Sequence, residues 1–299
     1  MVWDFIPVNG PFGGTTEGPV WDGSGLIFSH IPSSRIYRFD PSTNSSKLYR
    51  DQTNHANGLA LGADGRLYAC EGGARRVVMY DGADTVVLAH DFEGSKFNIP
   101  NDLAIDSAGR IWFTDPYYQG AGGSWSLDES NRELDYQAVY RIDSNKKGFY
   151  ITRVISDTTK PNGILFSSDF TELYIAQSSY QPEEKRELRA YPVNEDGTVG
   201  EFKVLHDFGP HRGIDGMVLD VEGNIIAAAG FNESGPGPMV YVFSPEGEII
   251  EEHPVPFDRP TNCTFGGDDL KTLYVTTKQG HLFSVETNRK GRLLFPNYI

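Results

Sequence analysis

One short unit recurs six times along the chain, and it limits the possible folds more than any other feature. A polar residue and a small residue open an apolar run: Glu17-Gly18-Pro19-Val20-Trp21, Asn57-Gly58-Leu59-Ala60-Leu61, Asn101-Asp102-Leu103-Ala104-Ile105, Asn162-Gly163-Ile164-Leu165-Phe166, Asp215-Gly216-Met217-Val218-Leu219 and Asn262-Cys263-Thr264-Phe265. Eight residues after each leading residue stands a turn position, held by Gly25, Gly65, Gly109, Phe170, Gly223 and Leu270. Glycine at four of the six suits a tight hairpin that needs positive φ. Second strands follow, such as Ile111-Trp112-Phe113 and Leu173-Tyr174-Ile175, and then third strands such as Arg76-Val77-Val78-Met79-Tyr80. The leading residues lie 40, 44, 61, 53 and 47 positions apart. A period of about 40–50 residues with four short strands per unit describes a propeller blade. No segment keeps a helical period over three turns. The expected fold is all-β, a six-bladed β-propeller in one domain over residues 1–299. The chain ends, Val2 to Val8 and Leu293 to Phe295, are expected to complete the last blade.

The longest spacing falls in blade three, where Tyr117 to Gln137 is extra. Its Gly, Ser and acidic content predicts a loop, either a plain surface insertion or a lid over one rim. The stretch from Gly230 to Pro238 is expected to be a shorter plain loop.

The charge balance removes whole classes of partner. Against 26 basic residues stand 41 acidic ones, for a net charge of −15, with no basic block. Such a surface repels phosphate backbones and anionic lipid, so neither nucleic acid nor membrane is an expected partner. The N-terminus MVWDFIPVNG lacks the basic and apolar regions of a secretory signal, and no run approaches a membrane span. A cytoplasmic monomer is expected. Cys70 and Cys263 fit no metal spacing and are expected to be buried thiols, not a disulfide.

The first strand of each blade lines the central channel of a propeller. Glu17, Asn57, Asn101, Asn162, Asp215 and Asn262 are therefore expected to form a polar ring at one height around the axis. Converging oxygen donors are what a hard cation requires, and two carboxylates balance a divalent charge. Without a cation, a Glu and an Asp pressed together would repel until one took up a proton. Hard-ligand logic favours Ca²⁺, with Mg²⁺, Mn²⁺, Zn²⁺ and Fe²⁺ as alternatives.

With these residues in view, the chain resembles the gluconolactonase and regucalcin (senescence-marker, SMP-30) family of six-bladed propellers over almost its whole length. The resemblance is carried by Glu17-Gly18-Pro19-Val20-Trp21, Phe97-Asn98-Ile99-Pro100-Asn101-Asp102-Leu103, Gly109 to Pro116, Lys160-Pro161-Asn162-Gly163 and Gly213-Ile214-Asp215-Gly216-Met217. It implies that Glu17, Asn162 and Asp215 ligate a metal. It implies too that Asn101 either joins them or holds substrate beside it, and that Asp102 contacts substrate. Ile99 stands where animal members have an arginine, so the segment follows the bacterial gluconolactonase pattern.

The chemistry this predicts is metal-dependent hydrolysis of a small-molecule lactone to the aldonic acid. A cation polarises the carbonyl, water attacks, and Asp215 is the expected general base. A carboxylate bound to a cation is a weak base, and a metal-held water is the other candidate. His55, His211 and Arg212 precede channel-lining strands and are expected near the same rim, with His55 among the substrate contacts. Tyr117, Tyr118 and Trp125 of the insertion are expected to shape the choice of lactone, Tyr117 as a contact. No Gly-x-Ser-x-Gly motif is present. Two alternatives remain at this stage: a phosphotriester or fluorophosphate hydrolase on the same scaffold, and a non-catalytic calcium-binding propeller.

Overall fold

The computed structural model describes residues 2–181 and 183–294. Six antiparallel sheets are set around one axis, in chain order. Their innermost strands are Thr16–Trp21, Ala56–Leu61, Leu103–Ile105, Pro161–Phe166, Ile214–Asp220 and Pro260–Gly266. Each blade then steps outward through its next strands to an outer edge. The six-bladed propeller expected from the repeat is the fold observed.

Alternation along the strands makes the blades stack. Each strand buries one face against the blade before it and the other against the blade after. The described apolar residues accordingly fall into six clusters, one between each pair of neighbouring blades. The cluster joining blades six and one, with Trp21, Phe28, Phe39 and Tyr274, closes the circle.

The ends divide their work differently from the expectation. Ile6–Asn9 pairs antiparallel with Leu282–Glu286 and supplies the outer strand of blade six. Gly291–Arg292 instead pairs with the inner strand of blade five, Leu219 facing Arg292. The C-terminal segment thus turns under the channel rather than into the last blade, and Phe295 lies outside the described residues. Cys70 and Cys263 are buried free thiols.

The turn position behaves alike in five blades. Gly65, Gly109, Phe170, Gly223 and Leu270 all have φ between 57° and 85°. Gly25 does not; its missing side chain makes room for the Arg38 guanidinium, which bonds Asp22 and Ser24. The Gly230–Pro238 stretch is not a plain loop. Ile225–Phe231 and Ser234–Phe243 continue as a β-hairpin with Phe231 opposite Ser234. None of the described helices is long and apolar enough to cross a membrane.

Candidate metal centre and substrate channel

The leading polar residues owe their orientation to a repeated irregularity. In five inner strands the ladder register shifts at or next to the leading residue, between Glu17 and Val20, Ala56 and Leu59, Pro161 and Ile164, Ile214 and Met217, and Pro260 and Asn262. A bulge re-aims a side chain and frees a backbone N–H. The side chain then takes up that N–H. Glu17 Oε2 accepts from Gly18 N at 2.6 Å, and Asn262 Oδ1 accepts from Cys263 N at 2.8 Å. In blade three it is Asp102, one residue past Asn101, that repeats this geometry, accepting from Leu103 N at 2.9 Å.

The glycine that follows four of the leaders has a packing reason. A Cβ on Gly216 would overlap the Asn262 amide, and one on Gly163 would overlap the Asp215 carbonyl. A Cβ on Gly58 would overlap Asp102, and one on Gly18 would come within 2.5 Å of the Asn57 carbonyl. Neighbouring blades can close on the axis only where these side chains are missing. Hydroxyls latch the same joints: Ser29 Oγ donates to Asn57 O at 2.8 Å, and Thr114 Oγ1 to Asn162 O at 2.7 Å.

Glu17, Asp102 and Asp215 stand near enough in the channel to feel one another's charge, without forming a cluster. Glu17, Asn101 and Asn162 are each 7% exposed, while Asp102 and Asp215 keep slightly more access. Asn262 Nδ2 donates to Glu17 Oε2 at 3.1 Å, and the same side chain works against the rise at Asp102. Burial pushes the Glu17 carboxyl well above the usual range, and the charges of Asp215 and Asp102 push it further. Burial also raises Asp102, to about 7, against the Leu103 N–H. Asp215 is raised by burial too, but the Arg212 guanidinium, which bonds its Oδ2, and Lys278 both oppose the rise.

Arg212 is buried and spends Nη1 on the carbonyls of Gly230 and Pro260, at 2.9 and 3.2 Å. The sequence placed Arg212 near the rim; its position three residues before Asp215 was the available signal for the pairing itself. Lys278 and Tyr180 carried no such signal. Tyr180 lies close enough to Arg212 to influence its charge and stands edge-on to Phe231 and Tyr118.

The residues of the expected substrate rim separate. Tyr117 is buried and bonds Ser126 O at 2.6 Å, with Arg132 and Trp125 beside its ring. Its neighbour Tyr118 is the loop tyrosine that meets the ring, through Asn162 Nδ2 at 3.1 Å. The insertion is built from two short 3₁₀ turns, Ser124–Leu127 and Glu129–Asn131. His55 packs against it, next to Gly123, and also against Gly73. His211 is exposed and lies against Gly235 of the blade-five hairpin.

Further along the inner strands lies a cavity of about 140 Å³ with a mixed polar and apolar lining. Asp102 and Asn262 border it, and Arg292, Leu293 and Leu294 lie across its far end.

The donor set fits a hard divalent cation. Among the described residues, no three His, Cys, Asp or Glu side chains stand together as a metal cluster. The candidate ligands are instead two carboxylates and two amides, Glu17, Asp215, Asn101 and Asn162. No hydrogen-bond donor among the described residues is directed at the Asn101 or Asn162 amide oxygens. Three carboxylates in a low-dielectric channel leave an excess of negative charge that a cation would relieve.

Fold and site together define a propeller with an acid-and-amide ring at its axis. The SMP-30/Gluconolactonase/LRE-like family model matches residues 15–279, and the chain belongs to that family. A gluconolactonase of Zymomonas mobilis is 29% identical over 290 residues, covering 87% of this chain and 75% of that protein. The pentonolactonase XacC of Haloferax volcanii is 28% identical over 270 residues, covering 88% and 81%. A gluconolactonase structure from Xanthomonas campestris superposes with a TM-score of 0.80 at 26% identity, covering 94% of this chain and 89% of that one.

Proposed function

We propose that this chain hydrolyses a sugar lactone to its aldonic acid with the help of one divalent cation. What supports the reading is a set of oxygen-bearing side chains at or beside the inner strands, Glu17, Asp215, Asn101 and Asn162, with Glu17 and Asp215 near enough to feel each other's charge, in a fold whose relatives include a gluconolactonase and a pentonolactonase. These four residues would hold the ion, Ca²⁺ by the hardness of an all-oxygen set. When bound, it supplies Lewis acidity to the lactone carbonyl and offsets charge on the oxygen as water adds.

The chain's own groups supply the rest. In the reaction, water forms a bond to the carbonyl carbon, the ring C–O bond breaks, and the ring oxygen gains a proton. Asp215 would take the water proton, and Arg212 holds its carboxylate on one oxygen. Burial raises Asp215, which favours a base, while the Arg212 pairing opposes that rise. Asn101 and Asp102 stand where sugar hydroxyls would enter the channel. His55 contributes from the rim beside the insertion, and Tyr118 replaces Tyr117 as the aromatic contact from the loop.

The test is proton release from gluconolactone, pentonolactones and a phosphotriester, with wild type and Asp215→Asn. Lactone turnover above the spontaneous rate should appear in the wild type. It should fall by about 100-fold or more in the variant, the usual contribution of a positioned base. Phosphotriester cleavage without lactone turnover would replace this reading with the phosphoryl one.

A further inference from the structure

The Tyr118 side chain crosses from the blade-three insertion onto blade four. Its hydroxyl lies 2.9 Å from the carbonyl of Ser178, just past the second strand of that blade, and 3.1 Å from Asn162 Nδ2. These two contacts fix each other's direction. A carbonyl carries no proton, so the tyrosine proton goes to Ser178 O. The lone pairs of Oη then face Asn162, and only the amide nitrogen can satisfy them. The tyrosine therefore selects the amide nitrogen, and Oδ1 is the atom left without a donor among the described residues.

We propose that Tyr118 is a positioning residue that locks the Asn162 amide with Oδ1, not the NH₂ group, available to a cation. The proposal rests on the reading of the ring as a cation site. An asparagine amide is nearly symmetric in shape, and its flipped state would turn two N–H donors toward a positive ion. A hydroxyl whose proton is already committed removes that state. The ring of Tyr118 is held independently, edge-on to Tyr180 at 6.3 Å and under Lys160 Nζ at 5.6 Å. Loss of the hydroxyl alone therefore leaves the side chain in place. The insertion becomes part of the ion site through this one atom.

Tyr118→Phe tests the inference by calorimetric titration of chelator-treated protein with Ca²⁺, alongside its melting temperature without ion. Outer-shell partners of metal ligands typically carry 10–100-fold in affinity. The expected result is about a 10-fold or larger rise in Kd with the ion-free melting temperature unchanged. A second pair, Asn162→Asp with and without Tyr118→Phe, removes the need for orientation, because a carboxylate offers oxygen either way round. There the loss of the hydroxyl should change Kd by less than about threefold. An unchanged Kd in Tyr118→Phe, or an equal loss in the Asn162→Asp background, would overturn the proposal while leaving the cation site standing. A wild type that takes up no cation would overturn the cation site itself, and this proposal with it.

Discussion

Asp115 shows what a single buried carboxyl does to this molecule. It is fully buried at the end of the second strand of blade three, accepting from Asn98 N at 2.8 Å through Oδ2. Its Oδ1 has no hydrogen-bond partner among the described residues. Burial raises it to about 8, even against the nearby Arg75 and Arg132. In an unfolded chain the same group titrates near 3.9. Between those values the folded state holds a proton that the unfolded state has released, so its contribution favours unfolding increasingly as pH rises from about 4 to 8. Asp115→Asn keeps the acceptor and removes the titration. Its stability advantage over wild type should grow by about 1 kcal/mol per pH unit across that window, measured by urea unfolding at pH 5, 6, 7 and 8. Parallel curves would mean that Asp115 is ionised in the fold. At this scale the leading residues of the ring were legible, since each opens an apolar run where no polar group is otherwise expected. The one-residue offset that lets Asp102 copy the geometry of Glu17 was not, because it follows from a local backbone turn. Nor was it legible that Tyr118, not Tyr117, meets Asn162, which depends on how the insertion folds back on Ser126.

Single strands carry the next level of the account. The inner strands could be read from sequence because turn glycines and apolar triplets repeat together. The outer rim was harder. The Gly- and Pro-rich stretch from Gly230 to Pro238 reads as a loop, yet ladder pairing across Phe231 and Ser234 keeps it a hairpin. Its Gly230 carbonyl then anchors Arg212 beside Asp215. The C-terminal strand was the other surprise. Gly291 packs so close to Phe265 that a Cβ would overlap its side chain, and this sets the tail against the inner strands. Leu293 and Leu294 then pack on opposite apolar clusters, those of blades six and one and of blades three and four. A chain ending at Lys290 should lose these contacts and the cover over the lower cavity. The expected cost is about 2 kcal/mol, from two partly buried leucines at roughly 1 kcal/mol each, seen as a lower urea midpoint with unchanged slope. An unchanged midpoint would show that the strap carries no stability.

On the scale of the whole molecule, six apolar joints hold the blades while acids crowd the axis. The two features oppose each other: each blade stacks better as the channel narrows, and the carboxylates repel more as it does. The proposed cation at the ring would reconcile them. Binding to the folded state alone should stabilise it by about 2.7 kcal/mol at 100 times the Kd, and chelation should reverse this. The propeller itself was readable from the period, because closure of the ring leaves little choice once six units are present. The counter-charges Arg212 and Lys278 were less so. Arg212 offered only its place three residues before Asp215, and only the folded chain brings Lys278 toward that carboxylate.

The most direct test of the central claim is to titrate chelator-stripped protein with Ca²⁺ while following lactone hydrolysis and bound ion together. The account predicts that turnover rises in proportion to occupancy and levels off at about one ion per chain, with Glu17→Gln requiring far more ion for the same rate. Full turnover in stripped protein, or turnover indifferent to how much ion is bound, would contradict it.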